Sequence, residues 1–172
     1  MRAARRACRY PSLPRYRRPV NVLLAALALT LPQHGVLVPG RSLGGVRLGD
    51  SPSDVSQRWG RGFGRCRDCR EPTWYFTYTK FEPQGAGVSF RRGRVAAVFT
   101  LWSPPGWRTT KGLTIGDAAA RVTELYGALP RTRCVGYDAL TLRSSAAVTA
   151  IYLSGDTVYG FALLRASEPV CR

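Results

Sequence analysis

The sequence predicts an α+β protein of two tandem helix-plus-three-strand units, with the helices packed on one face of antiparallel sheet. Three observations predict it. The stretch 45–60 returns at 112–127 with a constant offset of 67, so that Gly45, Gly49, Asp50, Val55 and Gly60 become Gly112, Gly116, Asp117, Val122 and Gly127, with Leu48/Ile115 and Trp59/Tyr126 as conservative partners. Behind each copy the apolar period changes from 3.6 to 2, the change from amphipathic helix to half-buried strand. Between the copies lies a Pro/Gly-rich stretch, 102–107, as expected of a boundary.

Taken in order, residues 1–40 carry seven Arg and no acid, and residues 20–31 are almost wholly apolar. A basic head before about a dozen apolar residues is the pattern of a secretory signal, and the run is short of the roughly 20 residues of a membrane span. A signal peptide over 1–40 is therefore expected, with cleavage before Arg41. The alternative is an uncleaved anchor with its Arg-rich head in the cytoplasm, which is the one route by which this chain would meet a membrane. The first unit then runs over 41–108 and the second over 109–172.

In the first repeat, Ser51 and Pro52 read as N-cap and first helical residue, and Asp54 places a carboxylate beside the unpaired amides of the first turn. Val55 and Trp59 share a face, and Gly60 suits the helix end. In the second, Asp117 reads as the N-cap, Val122, Leu125 and Tyr126 as the apolar stripe, and Gly127 as the stop. Strands are expected at 73–79, 88–91 and 95–101, and again at 138–143, 148–153 and 157–164. Gly93 matches Gly155 at an offset of 62, so the second unit lacks about five residues of the first unit's loop around 81–87.

The formal charge is +16, but outside residues 1–40 there are 19 basic and 10 acidic side chains, a net of +9 mixed in sign. Such a surface favours anionic partners without being a polybasic tail. The only histidine, His34, lies within the expected leader. Its loss would remove histidine-based nucleophilic catalysis and histidine-ligated zinc together. Cys66, Cys69, Cys134 and Cys171 remain after the leader as an even set, as in an exported disulfide-bonded domain. A thioredoxin-like reading of Cys66 and Cys69 wants a helix at the motif, where Glu71-Pro72 leads into a strand instead. A zinc ribbon wants a second close pair, and Cys134 and Cys171 stand 37 apart. Of the three connectivities, 66–69 with 134–171 is the one expected, the latter pinning the chain across the second unit's sheet.

The aromatic strand 73–79 places Trp74, Phe76 and Tyr78 on one face as core, leaving Tyr75, Thr77, Ser89 and Arg91 on the other. With the linker residues Trp102, Trp107 and Arg108, this face supplies the candidate ligand-binding set of Tyr75, Thr77, Arg91, Trp102, Trp107 and Arg108, residue types common at interfaces. The second unit's counterparts are Thr141, Arg143, Thr149 and Arg165. Asp50, Asp54 and Asp117 are accounted for by capping, so no catalytic residue, metal or cofactor is expected.

A short helix opened by Gly-hydrophobic-Gly-Asp and closed by Trp/Tyr-Gly, an aromatic strand at 74–76 and a hairpin at 93–95 resemble the repeat of the β-lactamase inhibitor protein and of the outer-membrane assembly lipoproteins of the small-protein-A type. The likeness covers residues 45–164. It implies small α+β units whose sheet has helices on one side and an open, protein-binding face on the other. The whole chain is also similar to secreted actinobacterial proteins of unknown function. Two features depart from the lipoproteins: no lipid-attachment cysteine follows the apolar run, and there are two copies instead of one. β-Lactamase inhibition is not carried over, since that family binds through variable loops.

The function expected is thus a secreted, non-catalytic binding module that recognises an envelope or extracellular protein, or an anionic wall polymer, through the open sheet face. Two alternatives come from other classes. One is an envelope hydrolase working through Asp68, Glu71 or Asp138; the other is an intracellular nucleic-acid binder that keeps residues 1–40 as a basic arm.

Overall fold

The computed structural model describes residues 31–32, 34–66, 69–76 and 85–172. Its elements follow in the order β1 (Val36–Val38), β2 (Ser42–Leu43), α1 (Pro52–Trp59), β3 (Gly64–Arg65), β4 (Thr73–Tyr75), β5 (Gly85–Arg91), β6 (Arg94–Leu101), β7 (Arg108–Thr109), α2 (Ala119–Tyr126), β8 (Arg131–Cys134), β9 (Tyr137–Arg143), β10 (Ala147–Ser154) and β11 (Thr157–Arg165). Eight strands make one antiparallel sheet in the order β3-β4-β5-β6-β11-β10-β9-β8, and β2-β1-β7 make a small second sheet.

This overturns the expectation of two helix-plus-three-strand units. The molecule is mostly β, with two helices of only eight residues each and four strands behind each helix. Five strands were missed by sequence: β1, β2 and β7 of the small sheet, of two or three residues each, and β3 and β8, short edges of the large sheet whose side chains are exposed or half-exposed on both faces, so no apolar alternation marks them. Nor do the two halves stand apart. β6 pairs with β11 from Leu101↔Gly160 to Ala97↔Leu164, fusing them into one sheet. Gly160 permits this seam, because a Cβ there would lie 2.3 Å from the Thr100 carbonyl oxygen.

The recurring Gly-Asp pairs have a different role from the helix cap expected at Asp117. Asp50 Oδ2 accepts the Arg47 amide (2.9 Å) and Asp117 Oδ2 the Thr114 amide (2.8 Å), each closing its own turn. The backbone around each Asp then pairs with the start of a sheet strand: Gly49 N–H donates to Val95 O and Val95 N–H to Asp50 O, while Gly116 N–H donates to Val158 O and Val158 N–H to Asp117 O. With its carboxylate engaged, Asp117 leaves α2 with Ala118 as N-cap and no side-chain cap. α1 keeps the full reciprocal box, the Asp54 amide donating to Ser51 Oγ and the Ser51 amide to Asp54 Oδ2, and the hydroxyl and amide of Ser51, both donating to Asp54 Oδ2, hold the Asp54 pKa below its ordinary value. Gly60 and Gly127 end the helices at φ +85° and +75°.

The main core lies between one face of the large sheet, the two helices and the small sheet. Val55 and Trp59 of α1, Val122 of α2, Leu37, Leu43, Val46 and Leu113 pack there against Val88, Phe90, Val98, Ile151, Phe161 and Leu163. At its centre Trp59 and Trp107 meet edge to face at 5.4 Å. Trp59 Nε1 donates to Gly44 O (2.8 Å) and Trp107 Nε1 to Pro32 O (2.9 Å). A Cβ on Gly35 or Gly44 would come within 2.4 or 2.6 Å of the Trp107 ring, so both glycines are required by the close approach. Among the described residues no helix is long and apolar enough to cross a membrane.

β1 falls inside the segment expected to be a leader, yet it is paired on both sides. It runs antiparallel to β2 (Leu37↔Leu43) and parallel to β7 (Leu37↔Thr109), and Leu37 is fully buried. Cleavage before Arg41 would remove this strand and the carbonyl that Trp107 bonds. Leu37→Ala is therefore expected to cost about 2–5 kcal/mol in urea unfolding, whereas substitution of the exposed His34 is expected to cost less than about 0.5 kcal/mol. Equal, small effects would detach β1 from the fold.

Candidate functional site

The helix-free face of the large sheet carries its own apolar layer of Ala97, Phe99, Val148, Ala150, Tyr152, Tyr159, Ala162 and Leu164. After β11 the chain turns, with Glu168 N–H donating to Arg165 O, and residues 166–172 return across this face. Three contacts hold them there. The Cys134–Cys171 disulfide ties the segment to β8, the Tyr152 hydroxyl donates to Val170 O (2.8 Å), and the Tyr137 hydroxyl both donates to Arg172 O (2.6 Å) and accepts its amide. Burial pushes the Tyr152 pKa well up. The second disulfide, Cys66–Cys69, closes the loop just before β4.

Between that loop and residues 168–172 lies a cleft of about 360 Å³. Its apolar floor is Tyr75, Phe99 and Leu101, with Pro169 at the side. Tyr75, Gly87 and Phe99 stand in register across β4, β5 and β6. A Cβ on Gly87 would lie 2.4 Å from the Phe99 ring, so the glycine lets Phe99 lie across the strand toward Tyr75, at 5.8 Å between centroids.

The polar wall is built around Arg91, at the end of β5. Its Nε and Nη2 bond Glu71 Oε1 (2.8 and 2.7 Å), and its Nη1 lies 3.2 Å from Glu168 Oε1. These partners, Glu71 first, raise the Arg91 pKa. Glu168 is a buried side chain, and its Oε1, though within ion-pair range of Arg91, makes no hydrogen bond; neither does Glu71 Oε2. Thr73 Oγ1 and Ser89 Oγ share a 2.9 Å bond nearby. Arg172 reaches Ser89 Oγ through a long 3.4 Å bond, with its guanidinium 5.8 Å from the Phe99 ring centre. Arg70 completes the lining and has no ion pair or hydrogen bond among the described residues.

Of the six residues expected to bind ligand, Tyr75 and Arg91 line this cleft. Trp102 does not: it is 47% exposed and packs on Tyr159 at 5.2 Å, at the start of an aromatic row that continues to Tyr137 and Tyr152. Trp107 is corrected outright, being fully buried in the core on the helix side. Arg108 is exposed on β7 of the small sheet, away from the cleft. Thr77 lies outside the described residues, as does Asp68.

In the second half Thr141 is buried, and Thr149 faces the small sheet, accepting the Gly40 amide (2.8 Å). Arg165 lines a separate shallow hollow with Arg41 and Arg47. Asp138 pairs with Arg131, which holds its carboxyl below the usual range, and is not among the cleft residues. Glu168 and Arg172 were missed because their position depends on the return of residues 166–172. The one signal for it was the expected 134–171 pairing. Among the described residues no group of three or more His, Cys, Asp or Glu is placed to hold a metal.

Fold and cleft together define a disulfide-bonded, mostly β protein with a concave polar site on the helix-free side of its sheet. No protein-family model matches the chain, and no curated protein matches its sequence. Among solved structures it is similar to an extracellular protein containing an SCP domain from Bacillus anthracis str. Ames, at 9% identity and a TM-score of 0.47. The match covers 69% of this chain and 44% of that one. At that level the similarity carries no conclusion about fold or function, and it does not bear on the family resemblance of the repeat.

Because burial raises the Tyr152 pKa, its folded state favours the neutral hydroxyl. Its contribution to stability is therefore full below the unfolded value of about 10 and is lost as pH rises toward the folded value. Tyr152→Phe is expected to cost about 1 kcal/mol near neutral pH through the lost bond to Val170 O, and to flatten the decline above pH ~10. Denaturant melts at neutral and alkaline pH check both. An unchanged alkaline decline would place its cause elsewhere.

Proposed function

We propose that this protein is an exported, non-catalytic binding module whose working surface is the cleft on the helix-free face. The observation that carries the reading is the cleft's composition: an apolar floor beside Arg70 and Arg172, two cations with little or nothing to pair with among the described residues. Concave sites of this mixed kind are the ordinary form of ligand pockets, and guanidinium groups held ready for carboxylate or phosphate are the ordinary anion binders. The net charge of +9 outside residues 1–40 would draw an acidic partner toward them.

Two disulfides support an extracytoplasmic home, since such bonds persist outside the reducing cytosol. Nucleic-acid binding would need the basic head to remain in an intracellular protein, which the disulfides disfavour. The hydrolase alternative has its best carboxylates in Glu71 and Glu168, but the Arg91 guanidinium is bonded to one and within ion-pair range of the other. A paired-carboxylate hydrolase needs the scissile bond and its water in the space between the two groups. Ion pairing to one arginine suits a fixed recognition wall better.

Retention of the purified protein on isolated cell envelopes tests the reading. Arg70→Glu in the cleft is expected to weaken retention about tenfold or more, a loss of roughly 1.4 kcal/mol. Arg121→Glu on the exposed face of α2 has the same charge change and is expected to leave it near wild type. Equal losses would mean that net charge, and not the cleft, does the binding.

A further inference from the structure

We propose a second site, separate from the cleft: the hollow of about 620 Å³ lined by Arg41, Arg47 and Arg165 takes a terminal phosphate group. Three stretches of chain bring these arginines together. Arg165 ends β11 directly across from Ala147, and Ala147 packs into the helix-side core. Residues opposite each other in an antiparallel pair share a face, so Arg165 points to the side of the small sheet. The turn between β1 and β2 is fastened to β10 on that side, because the Gly40 amide donates to Thr149 Oγ1 (2.8 Å), and Arg41 comes next in the chain. Arg47 follows the buried Val46, whose amide and carbonyl both bond Leu43 of β2.

The charge of the hollow is not answered from within. None of its three guanidinium groups has a hydrogen bond or ion pair among the described residues, whereas Arg58, Arg91, Arg121 and Arg131 each face an acid. The two acids next to the lining in sequence are turned elsewhere: Asp50 Oδ2 takes the Arg47 amide and lies near Arg58, and Glu168 is buried beside Arg91 in the cleft. Like charges gathered without a counter-charge repel, and an anion from outside relieves that repulsion.

The rest of the lining limits which anion fits. It consists of glycine and alanine with Leu48 and Ser167. There is no aromatic ring for a base or a sugar to stack on, and no carboxylate to take the donors of an amine or of a row of hydroxyls. The group recognised is therefore one that accepts. A carboxylate has two oxygens, which two guanidinium forks fill, so the third arginine would stay unpaired. A terminal phosphate has three free oxygens and a charge of about −1.5 to −2 near neutral pH. Each arginine then has an oxygen of its own, and over half of the positive charge is balanced. Because the hollow is shallow, whatever carries the phosphate, a lipid or a soluble ester, continues into solvent.

The test is a proton–nitrogen NMR titration of the full-length, disulfide-bonded protein at constant ionic strength with glycerol 3-phosphate and, separately, with succinate, a dianion that has only carboxylates. Glycerol 3-phosphate is expected to shift the amides of Gly49, Ala166 and Ser167 saturably, and succinate to bind there about tenfold more weakly. Arg41→Gln and Arg47→Gln, both changes of exposed side chains, are each expected to weaken phosphate binding about tenfold, while Arg121→Gln on α2 leaves it at the wild-type value. Succinate binding as tightly as the phosphate, silence of these amides, or an affinity unchanged in both hollow variants would overturn the proposal. Sedimentation with phosphatidylcholine vesicles containing phosphatidate then assigns the carrier. Co-sedimentation that the two hollow variants weaken identifies a lipid headgroup; co-sedimentation that they leave unchanged, beside saturable binding of glycerol 3-phosphate, identifies a soluble ester.

Discussion

The pairing of β6 with β11 is the constraint on which the rest depends. Each half of the chain ends in a long antiparallel hairpin, β5–β6 and β10–β11, and the seam joins the second strands of both. With the seam closed, neither β6 nor β11 is an exposed edge, and the large sheet ends at the short strands β3 and β8, of two and four residues. The seam also makes one continuous sheet with two large faces. One collects both helices and the small sheet, and the other is left for residues 166–172 and the cleft. Gly160 is where this arrangement is tightest, since the Thr100 carbonyl oxygen occupies the place of a side chain.

Local features of the fold were legible where local chemistry set them. The helix over Pro52–Trp59 was readable from Ser51, Pro52, Asp54 and the Val55/Trp59 spacing, because capping and a four-residue spacing act within one turn. The hairpin turns were readable from Gly93 and Gly155, which adopt φ of +70° and +57°. The four-strand count was not legible, because β3 and β8 bury no apolar face. The purpose of the repeated Gly-Asp was also hidden. Asp50 and Asp117 look like helix caps in sequence, but their carboxylates close turns, while the adjoining backbone pairs with Val95 and Val158, over 40 residues away. A repeat shows that two stretches share a role without showing which role.

The same distinction applies to the site. Tyr75 and Arg91 could be found because strand alternation assigns faces, and both lie on or next to regular strands. Trp107 could not be sorted, because linker residues have no period. An exposed linker tryptophan and one folded into the core read alike until Gly35 and Gly44 are seen against its ring. Glu168 belongs to a third kind. It is the acid that closes the turn after β11, without neighbours of its own type, and acquires meaning only when the chain doubles back to place it beside Arg91. The cleft is thus made from β4, β5 and β6 of the first half, the loop before them and the returning residues 168–172, and its two sides are each framed by a disulfide through Cys69 and Cys171.

Trp107 and the carbonyl of Pro32 are 75 residues apart, and β1 meets β7 across nearly the same interval. α1, the hairpin β5–β6 and Trp59 all precede the linker in the chain. Without the linker β1 has only one of its two neighbours and the indole of Trp59 lacks its edge-to-face partner. The first half of the duplication is thus not a finished object to which a second was added. Its interior is completed by the stretch that introduces the second copy, which brings Trp107 onto Trp59 and β7 beside β1.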